Sequence, residues 1–410
     1  MQCLLKYAKL SAAVALATFA VPNLTPAQHY TQTNLISDLP GMAAHIDPNL
    51  KNCWGLTRSP TGSPWWIANN NSGTSTLDDG NGNPQNIFVE ANGSTSNFVV
   101  VPPPGFAAAG TPSTPTGIVY NGSPTDFLLN KGNPAGRPAI FIFATEDGTI
   151  SGWNPAVNLL PGGKPPSPNA VLEVDNSDNG SANGAVYKGM TSGEINGQRF
   201  LYVANFRSAR VEVYDTNFQR VRFDEDAHVG FDEDAHVRFG EDAFEDDRIP
   251  RDFAPFNIQN IGGSLFVTYA KQDAARHDPV AGDGLGFVDI FSTTGEFQGR
   301  LEHGDWMNAP WGVVWTPRDF GEFSNTILVG NFRSGWIAAF NGFTKKFIGF
   351  VLRPDNSRVF IDGIWSLTFG NNGTAGSSTT LWFSAGINNE VDGLFGTLTP
   401  IIAEQDGDEE

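Results

Sequence analysis

The sequence predicts an all-β protein, a six-bladed β-propeller of four-stranded antiparallel blades whose ring is closed by an N-terminal strand completing the last blade. Three observations lead there. First, a short apolar strand, often opened by Trp-Gly, is followed after a gap by an apolar run ending in a small residue and Asn, and this pair recurs about six times. The clearest copies are Trp54-Gly55-Leu56-Thr57 with Trp66-Ile67-Ala68-Asn69, and Trp311-Gly312-Val313-Val314 with Leu328-Val329-Gly330-Asn331. Long-period repeats of this kind mark units stacked around an axis. Second, aromatics make up 12% of the 410 residues and glycines number 46, against 17% charged residues, a mix that suits short strands and tight turns. Third, the two ends are complementary. The last unit supplies three strands where four are expected, and residues 34–39 alternate like an outer strand. Pairing them leaves no open edge.

Inner strands are expected near Trp54, Gly117, Gly189, Phe256, Trp311 and Trp365, spaced 54 to 72 residues apart, so the blades carry insertions. Second strands fall at 64–68, 139–144, 200–204, 265–270, 326–330 and 380–385. Third strands fall at 87–90, 210–215, 286–291 and 336–340. Outer strands fall at 96–101, 171–174, 297–301 and 347–352. The domain expected is one propeller over 28–400.

Residues 1–27 read as a signal peptide: Lys6 and Lys9 give the positive start, 10–21 are apolar, and Thr25-Pro26-Ala27 offers small residues for cleavage. The apolar run is short for a bilayer span. The expectation is therefore a secreted, extracellular or periplasmic protein without a transmembrane anchor after cleavage, and a monomer. Cys53 is the lone cysteine after Cys3 and reads as a small buried residue rather than a nucleophile.

The net charge of −19 argues against a nucleic-acid partner. Residues 221–247 hold eleven carboxylates and two arginines, which is −9 of that total. Within them an eight-residue unit at 221–228 recurs at 229–236 and, diverged, at 237–244. A metal site using His228 and His236 is one reading; a solvated insertion loop is the simpler one. The tail 401–410 reads as acidic and disordered.

Propeller geometry brings together the segments before inner strands and after second strands. The mouth of the channel should therefore carry Asn52, Thr116, Lys188, Asn308 and Asp362 together with Asn69, Asn70, Asn205, Asn331, Asn388 and Lys271-Gln272-Asp273. Candidate ligand-binding residues are Asn69, Asn205, Lys271, Asn308, Asn331 and Asp362. Amides supply both donors and acceptors, though Asn after a strand also serves its own turn. The loop from Lys271 to Pro279 offers Asp273, His277 and Asp278 as candidate catalytic or divalent-metal residues; Asp and His also cap turns. Gly-x-Ser-x-Gly, His-Glu-x-x-His, paired cysteine ligands and the Walker lysine are absent from the sequence.

From about residue 34 to 400 the chain resembles a family of uncharacterised exported β-propeller proteins, some bacterial members of which carry a PEP-CTERM sorting tail. The matching stretches are Ala254-Pro255-Phe256-Asn257-Ile258-Gln259-Asn260-Ile261-Gly262-Gly263, Val267-Thr268-Tyr269-Ala270-Lys271-Gln272-Asp273, Gly286-Phe287-Val288-Asp289-Ile290-Phe291, Leu328-Val329-Gly330-Asn331-Phe332 and Gly393-Leu394-Phe395-Gly396-Thr397-Leu398-Thr399-Pro400. The resemblance implies six blades and no particular activity. This chain departs from the family in its acidic repeats and in lacking the sorting tail, so a released protein is expected. More distantly the strand pattern resembles the NHL and SMP-30 propellers, whose lactonases hold a divalent metal in the channel; that ligand set has no residue-by-residue match here. The function expected is recognition of a small molecule, carbohydrate or peptide at the channel mouth, with no cofactor. The alternative is a metal-dependent hydrolase or lactonase using a divalent cation in the central channel.

Overall fold

The structure, a computed structural model, describes residues 29–90, 92–129, 136–160, 164–224, 230–231 and 237–401. Six antiparallel blades form a six-bladed β-propeller. Inner strands are Cys53–Thr57, Pro115–Tyr120, Tyr187–Ile195, Phe253–Ile261, Pro310–Trp315 and Ile364–Phe369. Each pairs with the second strand of its blade: Trp65–Asn69, Phe141–Thr145, Gln198–Asn205, Ser264–Lys271, Thr326–Asn331 and Leu381–Gly386. In blade 3 the outer position is held by a short segment, where Tyr214 bridges Arg220 and the Val221 N–H donates to the Val213 carbonyl at 2.8 Å.

One strand lies elsewhere than the sequence reading put it. The third strand of blade 1 is Thr74–Asp78, not 87–90; Phe88–Val89 instead forms a hairpin with Thr95–Ser96. Thr74-Ser75-Thr76 carries too little hydrophobicity to announce a buried strand. On burial the Asn69 amide donates to the hydroxyls of Thr74 and Thr76 at 3.3 and 3.2 Å, while the Ser75 hydroxyl has no partner among the described residues. The third strand of blade 2, Thr149–Trp153, was not assigned from sequence.

The ring closes as the termini imply. Tyr30–Ser37 runs antiparallel to Asp392–Pro400, from Tyr30↔Pro400 to Ser37↔Leu394. Tyr30 is fully buried; its hydroxyl donates to the Phe320 carbonyl at 2.9 Å and accepts the Phe323 N–H at 3.2 Å. The closing strand therefore reaches past its own blade into blade 5.

Every inner strand is irregular near its start. Register shifts fall between Cys53 and Leu56, Tyr187 and Gly189, Pro255 and Asn257, Pro310 and Gly312, and Ile364 and Leu367; in blade 2 the shift lies opposite Phe143 and Thr145. Such bulges re-aim a side chain. The residues at these bulges are Trp54, Thr116, Lys188, Phe256, Trp311 and Trp365, and the four aromatic side chains among them meet around the axis. Trp54 stacks on Trp365 at 3.6 Å between centroids, Trp365 stacks on Phe332 at 3.8 Å, and Trp311 meets Trp54 edge-on at 6.2 Å. The recurrent Trp-Gly follows from the same geometry. A Cβ on Gly55 or Gly312 would lie 2.5 Å from the backbone carbonyl of Thr116 or Trp365 in the next blade.

Described parts of the acidic repeat pack on the propeller. Phe223–Asp224 pairs in parallel with Val237–Gly240, so Phe223 faces Phe239 two repeat units along. Phe239 and Phe244 are buried against Phe200 and Tyr202. His228 and His236, and the tail 402–410, lie outside the described residues.

Tyr30→Ala removes a buried aromatic and two hydrogen bonds across the closure, and is expected to cost about 3–5 kcal/mol. Chemical denaturation of the variant measures it; an unchanged midpoint would mean that the N-terminal strand does not hold the ring.

Candidate functional site

On one face of the aromatic plug, all six blades contribute to a closed polar ring. The Asn70 amide of blade 1 donates to Glu146 Oε2 of blade 2 at 2.7 Å. Glu146 pairs with Lys188 of blade 3, and Lys188 Nζ also reaches Asp278 Oδ1 of blade 4 at 3.2 Å. His277 Nδ1 donates to the same Asp278 oxygen at 2.9 Å. Arg333 of blade 5 donates to the Pro279 carbonyl at 3.2 Å and lies 3.7 Å from Glu390 of blade 6. The Asn71 amide donates to the Glu390 carbonyl at 2.6 Å and brings the ring back to blade 1.

Lys188 is the floor of this ring. Its side chain is 1% exposed and its ammonium sits 5.3 Å above the Trp54 ring and 5.9 Å from that of Phe206. Burial alone would lower its pKa, but the carboxylates of Glu146 and Asp278 outweigh burial and hold it above its ordinary value. Asp278 is held well below the usual carboxylate range, first by the His277 hydrogen bond and then by Lys188. Burial, and then the nearby Glu146 charge, raise the Glu390 pKa, with Arg333 opposing them. Asn388, Asn389 and Glu390 are successively left-handed, with φ of 55°, 55° and 67°. Such backbone costs about 1–2 kcal/mol per residue. Here the Asp362 carboxylate accepts the Asn388 N–H at 2.9 Å and helps to hold the turn that delivers Glu390 to the mouth.

Each residue singled out from sequence has a definite place. Asp278 and His277 lie in the ring. Asp273 lies beneath their loop, accepting the N–H groups of His277 and Asp278 at 2.8 and 3.2 Å. Asn69 and Asn205 are buried; Asn205 donates to Glu212 at 2.9 Å. Asn331 accepts the Asn308 N–H at 2.9 Å, and Asn308 accepts the Gly282 N–H at 3.0 Å. Lys271 pairs with Asp252 on the surface at 3.1 Å. Among the candidates proposed as ligand-binding or catalytic, the ring gathers His277 and Asp278; Lys188 was placed at the mouth by strand order alone. Glu146 and Glu390 were missed. Glu146 follows a second strand just as Asn70 does, but that strand ends in Thr145 where those of blades 1, 3 and 5 end in Asn, so the recurrent Asn does not mark it.

One nitrogen of His277 and one carboxylate oxygen each from Glu146 and Asp278 lie within 4.8 Å of one another, a spacing a metal ion could bridge. However, the Lys188 ammonium already bonds two of the three. Cys53 is fully buried, its thiol donating to the carbonyls of Ala385 and Leu394 at 3.2 and 3.3 Å, and burial pushes its pKa up to about 12. Among the described residues no helix is long and apolar enough to cross a membrane.

Lys188→Met would strand Glu146 without its ammonium and is expected to cost about 3–5 kcal/mol in urea unfolding. The pH dependence follows from the shifts. The depressed Asp278 contributes stability above its unfolded value of about 3.9, lost as pH falls through the folded value; the raised Lys188 contributes below about 10.4, lost as pH rises through its folded value. The stability difference between wild type and Asp278→Asn should therefore shrink as pH falls below about 3.9, and a difference that stays unchanged from about pH 5 down to about pH 2 would contradict the assignment. Cys53 should resist a thiol reagent at pH 8 until the protein unfolds; rapid labelling of native protein would contradict its burial.

No family model matches the chain. It is 28% identical over 371 residues to an uncharacterized protein of Acanthamoeba polyphaga mimivirus, covering 89% of this chain and 78% of that one. Two further uncharacterized proteins of the same virus match at 29% over 371 residues, covering 89% and 84%, and at 31% over 294 residues, covering 72% of this chain and 48% of the other. Solved structures with some likeness include a virginiamycin B lyase from Staphylococcus aureus, at 10% identity and a TM-score of 0.39 over 91% of this chain and 100% of that one. A glucose dehydrogenase aligns at 11% identity and a TM-score of 0.46, over 90% and 99%. Likeness at this level carries no chemistry from those proteins to this one.

Proposed function

We propose that this protein is an exported, monomeric binding module whose mouth recognises a hydroxyl-rich ligand of the carbohydrate class without turning it over. The observation that carries the reading is the ring in which the Lys188 ammonium bridges Glu146 and Asp278. A buried ammonium already serves as the cation of the carboxylate cluster. A divalent ion a few ångströms away would be repelled by it in a medium of low dielectric. The ring then offers amides and three carboxylates, two of whose charges are offset by Lys188 and Arg333, a surface rich in hydrogen-bonding groups. His277 and Asp278, with side chains 38% and 56% exposed, form its accessible edge. The aromatic plug beneath supports a ligand that docks at the mouth rather than one that threads the channel.

The second reading, a metal-dependent hydrolase or lactonase, draws on the convergence of Glu146, His277 and Asp278. A metal there would lower the pKa of a bound water and polarise a carbonyl. One experiment separates the two. Wild type and a His277→Ala, Asp278→Ala double variant are analysed for metal content, screened on esters and lactones, and applied to an oligosaccharide array. The binding reading expects array signals that fall at least tenfold in the double variant, with no turnover by either protein. Stoichiometric metal and lactone turnover, both lost in the double variant, would establish the hydrolase instead; a signal confined to peptide arrays would move the ligand class to peptides.

A further inference from the structure

The turn after the third strand is built alike in blades 1 to 5. A polar side chain closes it by accepting N–H groups two or more residues on: Asp79 in blade 1, Asn154 in blade 2, Asp215 in blade 3, Ser292 in blade 4 and Asn341 in blade 5. This aligns the blades residue by residue. The residue just before the turn is Trp153, Tyr214, Phe291 or Phe340 in blades 2 to 5, and each is buried. In blade 1 the same position is Asp78, 1% exposed. A carboxylate stands where four neighbouring repeats bury an aromatic ring.

Neither oxygen of Asp78 makes a hydrogen bond among the described residues. The Thr76 hydroxyl and the Asn97 amide lie near enough to favour the ionised form without bonding it, while burial, and then Asp47, push its pKa well up. Replacing a ring by a short acid also leaves space. Asp78 lines a pocket of about 210 Å³ together with His45, Asp47, Asn49, Asn86 and Asn97. Asp47 is itself 8% exposed; its Oδ2 accepts the Asn97 amide at 2.9 Å and its Oδ1 the Asn49 N–H at 2.8 Å.

Two buried carboxylates lining one small pocket are costly in their ionised form without a counter-charge. The remaining donors are mostly amide oxygens. Two negative charges among oxygen ligands suit a hard divalent cation of calcium size, whereas zinc prefers nitrogen and sulfur. From the broken repeat, the unbonded carboxylate and the pocket that Asp78 and Asp47 both line, we infer that these two residues hold a calcium-class divalent cation. The site sits on the seam of the ring. Ile36, in the closing strand, lines the same pocket, and it pairs with His45 two residues before Asp47. The ion would tie the closing strand and the segment after it to blade 1. This inference is independent of the mouth.

The test is thermal unfolding and titration calorimetry of the full chain, stripped with chelator and then given calcium. Saturating calcium should raise Tm by about 4 °C or more. Both the shift and the binding heat should vanish in Asp78→Asn and in Asp47→Asn, which are near-isosteric, and persist in the His277→Ala, Asp278→Ala protein. A wild type with no calcium shift and no heat would overturn the inference. So would a shift that survives in both aspartate variants, which would put the ion elsewhere, such as in the acidic repeats.

Discussion

Six inner strands converging on one axis leave a space that something must fill, and everything else in this structure depends on how it is filled. Close-packed interiors do not tolerate a void of that size. Here the bulge at the start of each inner strand turns a side chain inward, and Trp54, Trp365, Trp311 and Phe256 pack together with Phe332 and Phe206. A ring that large gains strongly from burial. The price is close approach between adjacent inner strands, which glycine allows at Gly55 and Gly312. One constraint thus explains the most repetitive feature of the sequence and divides the axis into a packed plug and a mouth above it.

The plug also shapes what the mouth can do. At the blade 3 bulge the inward residue is Lys188, and an ammonium driven into an aromatic floor needs counter-charges at once. Glu146 and Asp278 supply them from the two adjacent blades, and Trp54 offers the face of its ring. Those two acids are held in turn by Asn70 and His277. The ring of polar contacts is therefore a consequence of one buried cation, and its members come from six blades because the cation lies near the axis, where the blades meet.

The architecture was legible because it is periodic. The six inner strands, all six second strands and the closure by the N-terminal strand follow from apolar runs, Trp-Gly pairs and chain ends that complement each other. What was not legible is what periodicity hides. Thr74–Asp78 is a buried strand with one large apolar residue, Leu77, and the pairing of its two threonine hydroxyls with the Asn69 amide is something composition cannot reveal. Half of the candidate site was read and half was not, for a related reason. His277 and Asp278 drew attention as an unusual loop, and Lys188 by its place before an inner strand. Glu146 and Glu390 are single acids in ordinary-looking turns, and only the fold brings them beside Lys188. The recurrent asparagines pulled attention the other way. Asn69, Asn205 and Asn331 end the second strands of blades 1, 3 and 5, and each spends its amide on hydrogen bonds within the fold.

That contrast gives a rule for reading repeated folds. A residue present in most repeats answers a demand that every repeat makes, so its recurrence points to folding. A residue that breaks the pattern in one repeat, and breaks it at an energetic cost, needs another reason. Lys188 stands where other inner strands carry Trp, Phe or Thr; Glu146 stands after Thr145 where blade 1 has Asn70 after Asn69; Asp78 stands where four blades bury a ring. Each exchange puts an ionisable group into a position the fold would fill more stably with an apolar or neutral one. Lys188 and Glu146 compensate each other within the chain, and their partnership builds the mouth. Asp78 has Asp47 for a neighbour, which adds to its cost, and the divalent cation we infer is the charge that would balance the pair.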